Sequence, residues 1–385
     1  MHKIKAILAF VQQHAIVISI FPLLLFATAS GWIFWDEATP PKELRCNSKT
    51  QATSPQNDSI PERSLPSPLQ PGLMNAPGNF TPGNLTARPG FGLSSQADAT
   101  QWSQELHAAW YLDWDIRLTR NFNKPEHWQM VRLSPGCISP SLDFIRWVAL
   151  HYPENVWIIG NEPDVIWQDS ITPEEYARDY QILYQLIKSS DPTARIAVAG
   201  VAQGTPLRLA YLDRVLEAYQ KSTGAAMPVD WWTLHGYVLR EERGSWGVDI
   251  PPGFSDKQGQ LYEISDHGSL TLFEKQITAF RAWMKARGYQ NTPLALTEFG
   301  ILMPPEYGYS PEVIQQYLRD TFQWLAEAAD PQIGMPQDNH HLVQRWAWFS
   351  LADVIYPTSD LVDLNNHQLT AVGEAFRDFM LNSTR

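Results

Sequence analysis

Two glutamates close apolar runs. Glu162 lies in Trp157-Ile158-Ile159-Gly160-Asn161-Glu162-Pro163-Asp164, and Glu298 in Leu294-Ala295-Leu296-Thr297-Glu298-Phe299-Gly300. Each run reads as a buried strand that stops at a carboxylate. A pair of carboxyl groups can cleave a glycosidic bond. One protonates the leaving oxygen, while the other attacks the anomeric carbon or activates water against it. The two need opposite protonation states at one pH, which mutual repulsion and unequal hydrogen bonding can supply. Either glutamate alone could be a cap or an ion-pair partner. Two of them at strand ends point to chemistry.

Other chemistries find less support. A metal-dependent barrel hydrolase wants His-x-His on an early strand, but His340-His341 are adjacent and lie outside any strand. A serine hydrolase wants Gly-x-Ser-x-Gly between strand and helix, and that pattern is missing. The two cysteines, Cys46 and Cys137, form no metal-ligand spacing, and whether they pair is open. No cofactor and no metal is expected.

Eight short apolar runs would position the glutamates: 89–94, 110–114, 128–133, 156–160, 195–201, 230–236, 293–298 and 345–350. Amphipathic helical patterns lie between most of them, one opened by Thr172 and Pro173 as cap and first turn. The runs are apolar on both faces, as parallel strands covered on both sides should be. This alternation predicts an α/β fold, a (β/α)8 TIM barrel over 88–385. A doubly wound sheet would show a glycine-rich turn after its first strand, which is absent here. In a barrel, strands four and seven face each other across the mouth, so Glu162 and Glu298 can converge. The longest connection, 238–269, holds Trp246, Phe254 and Tyr262, and a loop of that length is usually functional or mobile.

The net charge of −12, without a basic block, argues against nucleic acid and anionic polysaccharides as partners. Neutral substrates are favoured. The 16 tryptophans suit sugar binding, because pyranose faces stack on indole, although most of them should fill the core.

Asn-Glu-Pro after strand four and Thr-Glu-Phe-Gly after strand seven resemble the signatures of clan A retaining glycoside hydrolases. The resemblance implies that Glu162 is the acid/base and Glu298 the nucleophile. It implies that Asn161 bonds the sugar 2-hydroxyl. His235-Gly236-Tyr237 stands where that group often carries His-x-Tyr, so Tyr237 would donate to Glu298. Trp348, near the end of strand eight, would floor the sugar subsite. Within the clan the chain is most similar to the alkali-sensitive-linkage-protein type of β-1,3-glucanase. Tyr111-Leu112-Asp113-Trp114, Gly160 to Asp164 and Arg345-Trp346-Ala347-Trp348-Phe349 carry that similarity. Leu112-Asp113 and Gly236 depart from its pattern, so xylan and cellulose remain alternatives to β-1,3-glucan. His235 reads equally as a core histidine, and Trp167, just past the Asn-Glu-Pro turn, as a subsite lining or a barrel cap. A surface sugar-binding or adhesion protein would use the same tryptophans without needing both glutamates.

Residues 15–35 carry no charge and are long enough to cross a bilayer, with Lys3 and Lys5 before them and Asp36 and Glu37 after. The expected organisation is a cytoplasmic 1–14, a transmembrane anchor at 15–35, a Pro/Ser/Asn-rich spacer at 36–87 and an extracytoplasmic barrel. A cleaved signal at Ala27-Thr28-Ala29 would export the barrel equally, as a secreted domain. The expected partners of a monomeric chain are a polysaccharide or oligosaccharide and the membrane.

Overall fold

The computed structural model describes residues 40–43, 45, 84–119 and 125–383. The anchor and most of the spacer lie outside these residues. Among the described residues no helix is long and apolar enough to cross a membrane. Cys137 is disulfide-bonded, and Cys46, the only other cysteine in the chain, lies outside the described residues.

The strands of the main sheet are β1 (Pro89–Gly92), β2 (Trp110–Leu112), β3 (Glu126–Ser134), β4 (Cys137–Ser139), β5 (Val156–Ile159), β6 (Arg195–Val198), β7 (Trp232–His235), β8 (Leu294–Phe299) and β9 (Arg345–Trp348). Eight of them run parallel in the order β6-β5-β3-β2-β1-β9-β8-β7, and β4 pairs antiparallel with β3 as a hairpin. The two ends of that order meet. Parallel bridges join Ala197 to Trp231 and Val201 to Leu234, closing a (β/α)8 barrel. The helices are α1 (Ala99–Leu106), α2 (Leu142–His151), α3 (Pro173–Ser190), α4 (Pro206–Thr223), α5 (Leu270–Ala286), α6 (Pro311–Glu327) and α7 (Ala371–Asn382). Helix α3 begins as expected, with Thr172 and Glu175 forming a reciprocal capping box ahead of Pro173.

Two apolar layers explain why the strands lack polar faces. Trp110, Leu112, Trp128, Met130, Ile158 and Trp231 fill the barrel interior. Their strand neighbours point outward into the larger layer beneath the helices. The lower end of the barrel is plugged by Arg345, whose guanidinium lies 5.5 Å from the Trp128 ring centre and 5.8 Å from that of Trp110. Glu126 holds Arg345 at 2.8 Å. The interior is therefore solid below, and only the end carrying the strand C-termini is open to chemistry.

Candidate active site

Glu162 lies just past β5, at a left-handed φ of 43° that a side chain adopts only when its surroundings impose it. Those surroundings come from Asp169, which the sequence reading did not single out. One oxygen of its buried carboxylate accepts the N–H of Asn161 at 2.7 Å and of Leu133 at 3.0 Å. The other accepts Arg132 Nε at 2.8 Å. Asp169 thus ties the Asn-Glu-Pro turn to the end of β3. No sequence motif marks it. Arg132 also reaches Gln168 Oε1 at 3.2 Å.

Glu298 is aimed by an irregularity. The β7–β8 register shifts between Leu234 and His235, and the β8–β9 register shifts between Leu296 and Phe299. Such shifts re-aim side chains near active sites. Here they bring the Glu298 carboxylate under two donors. Trp114 Nε1 donates to Oε1 at 2.6 Å, and Tyr237 Oη donates to Oε2 at 3.2 Å.

His235 stands between the glutamates. Its Nδ1 is 2.8 Å from Glu162 Oε1 and 3.5 Å from Glu298 Oε2. Burial pushes the imidazole below its ordinary value, so it is neutral at neutral pH. A neutral ring facing two acids carries its proton on Nδ1, which leaves Glu162 Oε2 outside this bond. Close packing behind the ring requires Gly200, where a Cβ would come within 2.5 Å of His235 Cδ2. Gly236, where the resembled type has an aromatic, has no room for one. A Cβ there would meet Phe273 at 2.6 Å and Phe299 at 2.9 Å.

The electrostatics of the two carboxyls differ. Burial pushes Glu162 up to about 7, against opposing attraction from Arg208 and Arg132. Burial and the neighbouring Glu162 also raise Glu298, while the hydrogen bonds from Trp114 and Tyr237 pull it back. Glu298 takes donors on both oxygens, from Trp114 and Tyr237, against the single His235 bond to Glu162, so it ionises before Glu162. One oxygen of each glutamate and a ring nitrogen of His235 lie within 4.8 Å of one another, the only such group among the described residues. Distance alone would admit a divalent cation. The chemistry fits proton transfer better, because N–H and O–H donors already point at both oxygens of Glu298.

Asn161 is buried in the same turn, and its Oδ1 has no partner among the described residues. An unsatisfied acceptor there suits a hydroxyl donor on a ligand. Trp167 is 50% exposed beyond the turn, so its indole is available at the surface rather than sealing the barrel.

Trp348 is a correction. It was expected to floor the sugar subsite, but it is 0% exposed and packs outward among Phe299, Tyr317 and Phe322, with its N–H bound to Ser359. No sugar can reach it. Alternation along the strand gives the mouth to the next residue, Phe349. Its ring lies 5.6 Å from Trp114, 6.5 Å from Tyr237 and 6.4 Å from Tyr356. Tyr356 also escaped the sequence reading, because it comes from an irregular loop. The two neighbours should separate on substitution. Trp348→Ala should cost about 3–5 kcal/mol in urea unfolding. Phe349→Ala, at a side chain 9% exposed, should cost less stability than that and raise KM on oligosaccharides. The reverse pattern would refute this assignment of faces.

No family model matches the sequence, and no curated protein does. The fold has solved counterparts. A GH128 (subgroup I) endo-β-1,3-glucanase from Amycolatopsis mediterranei in complex with laminaritriose superposes with a TM-score of 0.52 at 16% identity, covering 76% of this chain and 99% of that one. A GH128 (subgroup II) endo-β-1,3-glucanase from Sorangium cellulosum gives 0.50 at 15% identity, over 75% and 97% of the two chains. One from Pseudomonas viridiflava gives 0.50 at 15%, over 76% and 97%. At these identities the likeness is one of fold, and it spans nearly the whole of each counterpart.

Proposed function

We propose that this protein is a retaining glycoside hydrolase acting on a neutral β-linked glucan, with β-1,3-glucan as its substrate. The observation that carries the reading is the unequal carboxyl pair. Glu162 and Glu298 approach within 4.8 Å, and Glu298 takes donors on both oxygens while Glu162 takes one, from His235. Retaining enzymes hold their carboxyls about 5–5.5 Å apart, while inverting enzymes leave a wider gap of about 6.5–9.5 Å for water. Glu298 attacks the anomeric carbon as Glu162 protonates the departing oxygen. The glycosyl–Glu298 ester forms, and the glycosidic C–O bond breaks. Glu162, now ionised, takes a proton from water, and that water cleaves the ester with configuration retained. Trp114 and Tyr237 hold the nucleophile's charge, and Asn161 offers its free oxygen to a sugar hydroxyl.

The choice of glucan rests on the clan A motifs and on the fold shared with β-1,3-glucanases. The charge-free run at 15–35 supports a barrel carried on the outer side of a membrane.

A reducing-sugar assay of the protein on β-1,3-glucan, xylan, cellulose and mannan tests the proposal. Hydrolysis of β-1,3-glucan that survives a chelator, with the β-anomer appearing first by NMR, is the expected result. Chelator-sensitive activity restored by a divalent ion would hand the Glu162–His235–Glu298 cluster to metal chemistry. Binding without hydrolysis would favour an adhesion protein.

A further inference from the structure

Behind the Glu162 turn lies an ion cluster that the proposed reaction does not use. Asp164, Arg208 and Glu241 are each 0% exposed. Arg208, in the first turn of α4, places Nη1 3.0 Å from Asp164 Oδ2 and Nε 3.1 Å from Glu241 Oε1. Its remaining N–H groups go to the backbone carbonyls of Asp164, Val248 and Asp249. The guanidinium thus makes four hydrogen bonds besides its ion pair with the Asp164 carboxylate. Glu241 in turn accepts from Thr205 Oγ1 and from the N–H of Gln260. Arg208 therefore grips the Asn-Glu-Pro-Asp turn and the outgoing half of the 238–269 loop, and through Glu241 the returning limb as well.

Stability alone is a poor reason for this arrangement. Buried ion pairs rarely outperform apolar packing, and their best-attested use is to impose one geometry. The bookkeeping is also unbalanced: two carboxylates face one cation, and Asp164 Oδ1 has no partner among the described residues. Burial pushes Asp164 up to about 6. The cluster sits two residues from the proton donor, so its charge reaches Glu162.

We propose that Arg208 is a positioning residue, which locks the Glu162 turn and the 238–269 loop into one unit and biases Glu162 toward its ionised form. This rests on the glycosidase reading for its catalytic consequence, but not for its structural one. The groups acting on Glu162 are Arg208, Arg132, Asp169, Asp164, Glu298, Tyr356, Tyr237 and the neutral His235. Only two of these are cations. Removing Arg208 takes away the cation with the larger effect and leaves the acids in place.

Two variants of the full chain test this. Arg208→Met should move the alkaline limb of the kcat/KM profile upward by at least about half a pH unit. Arg208→Lys, which keeps the charge but not the fork, should leave that limb in place. Both should be cut faster within 238–269 by a protease added in limiting amount. An alkaline limb that stays put in Arg208→Met, or that moves equally in Arg208→Lys, overturns the electrostatic part. Cleavage of the loop at the wild-type rate in both variants overturns the lock. If Arg208→Met fails to fold, a wild-type limb with faster cleavage in Arg208→Lys carries the proposal. A wild type inactive on every glycan sinks the glycosidase reading instead, while loop cleavage still decides the lock.

Discussion

Glu298→Ala should lower kcat on β-1,3-glucan by about 10⁴-fold or more, as loss of a covalent nucleophile does elsewhere. The protein should still fold, because the change removes a buried carboxyl rather than exposing one. Azide supplies the discriminating measurement. In Glu298→Ala a small anion can enter the vacated space and attack the anomeric carbon directly. Activity on an aryl β-glucoside with a good leaving group should return, and the product should be the α-glycosyl azide. A β-azide would mean that the two glutamates have been assigned the wrong way round. Full activity without azide would remove Glu298 from the chemistry.

Glu162→Gln should lower kcat on glucan by about 10²–10⁴-fold, the usual worth of a general acid. Its effect should shrink on aryl glycosides that leave without protonation. Those substrates should show a burst of phenol followed by slow turnover, since the second step still needs a base. The pH profile gives an independent test. Activity requires Glu162 protonated and Glu298 ionised. Wild-type kcat/KM should therefore fall as pH rises through about 7, where Glu162 loses its proton. It should also fall on the acid side above the ordinary glutamate value, because burial raises Glu298. Glu162→Gln should lose the alkaline limb and keep the acid one. The same shift has a stability consequence of defined sign. A carboxyl whose folded value is raised binds protons better in the folded state, so stability falls as pH rises from the ordinary value toward the raised one. At pH 8 the Gln variant, which has no charge to bury, should melt above the wild type. A lower melting temperature would contradict the raised value of Glu162.

Much of the barrel was legible because its signals are local. Each strand is a short run apolar on both faces, and Thr172-Pro173 announces α3 within a few residues. The β3–β4 hairpin was not, since Gly136 and Cys137 follow an apolar run without a distinct pairing pattern. The ion clusters were hidden for a different reason. Asp169 and Arg208 are ordinary polar residues in a loop and a helix, and their meaning lies in acceptors far along the chain. The loop at 238–269 was recognised from its length, but its attachment through Glu241 could not be read from it.

The chain by itself determined the alternation of strands and helices, the presence of a carboxyl at the ends of the fourth and seventh barrel strands, and an acidic surface unsuited to nucleic acid. These follow from residue type and short-range period, which act over one turn or one strand. Only the tertiary structure decided which aromatic faces the mouth, and it chose Phe349 over Trp348. A one-residue difference in strand phase reverses every side chain, and that phase is set by pairing with β8 and β1. The structure also decided how near Glu162 and Glu298 stand and which of them holds its charge. Both depend on the register shifts around β8 and on donors from Trp114 and Tyr237, which meet only when the barrel closes.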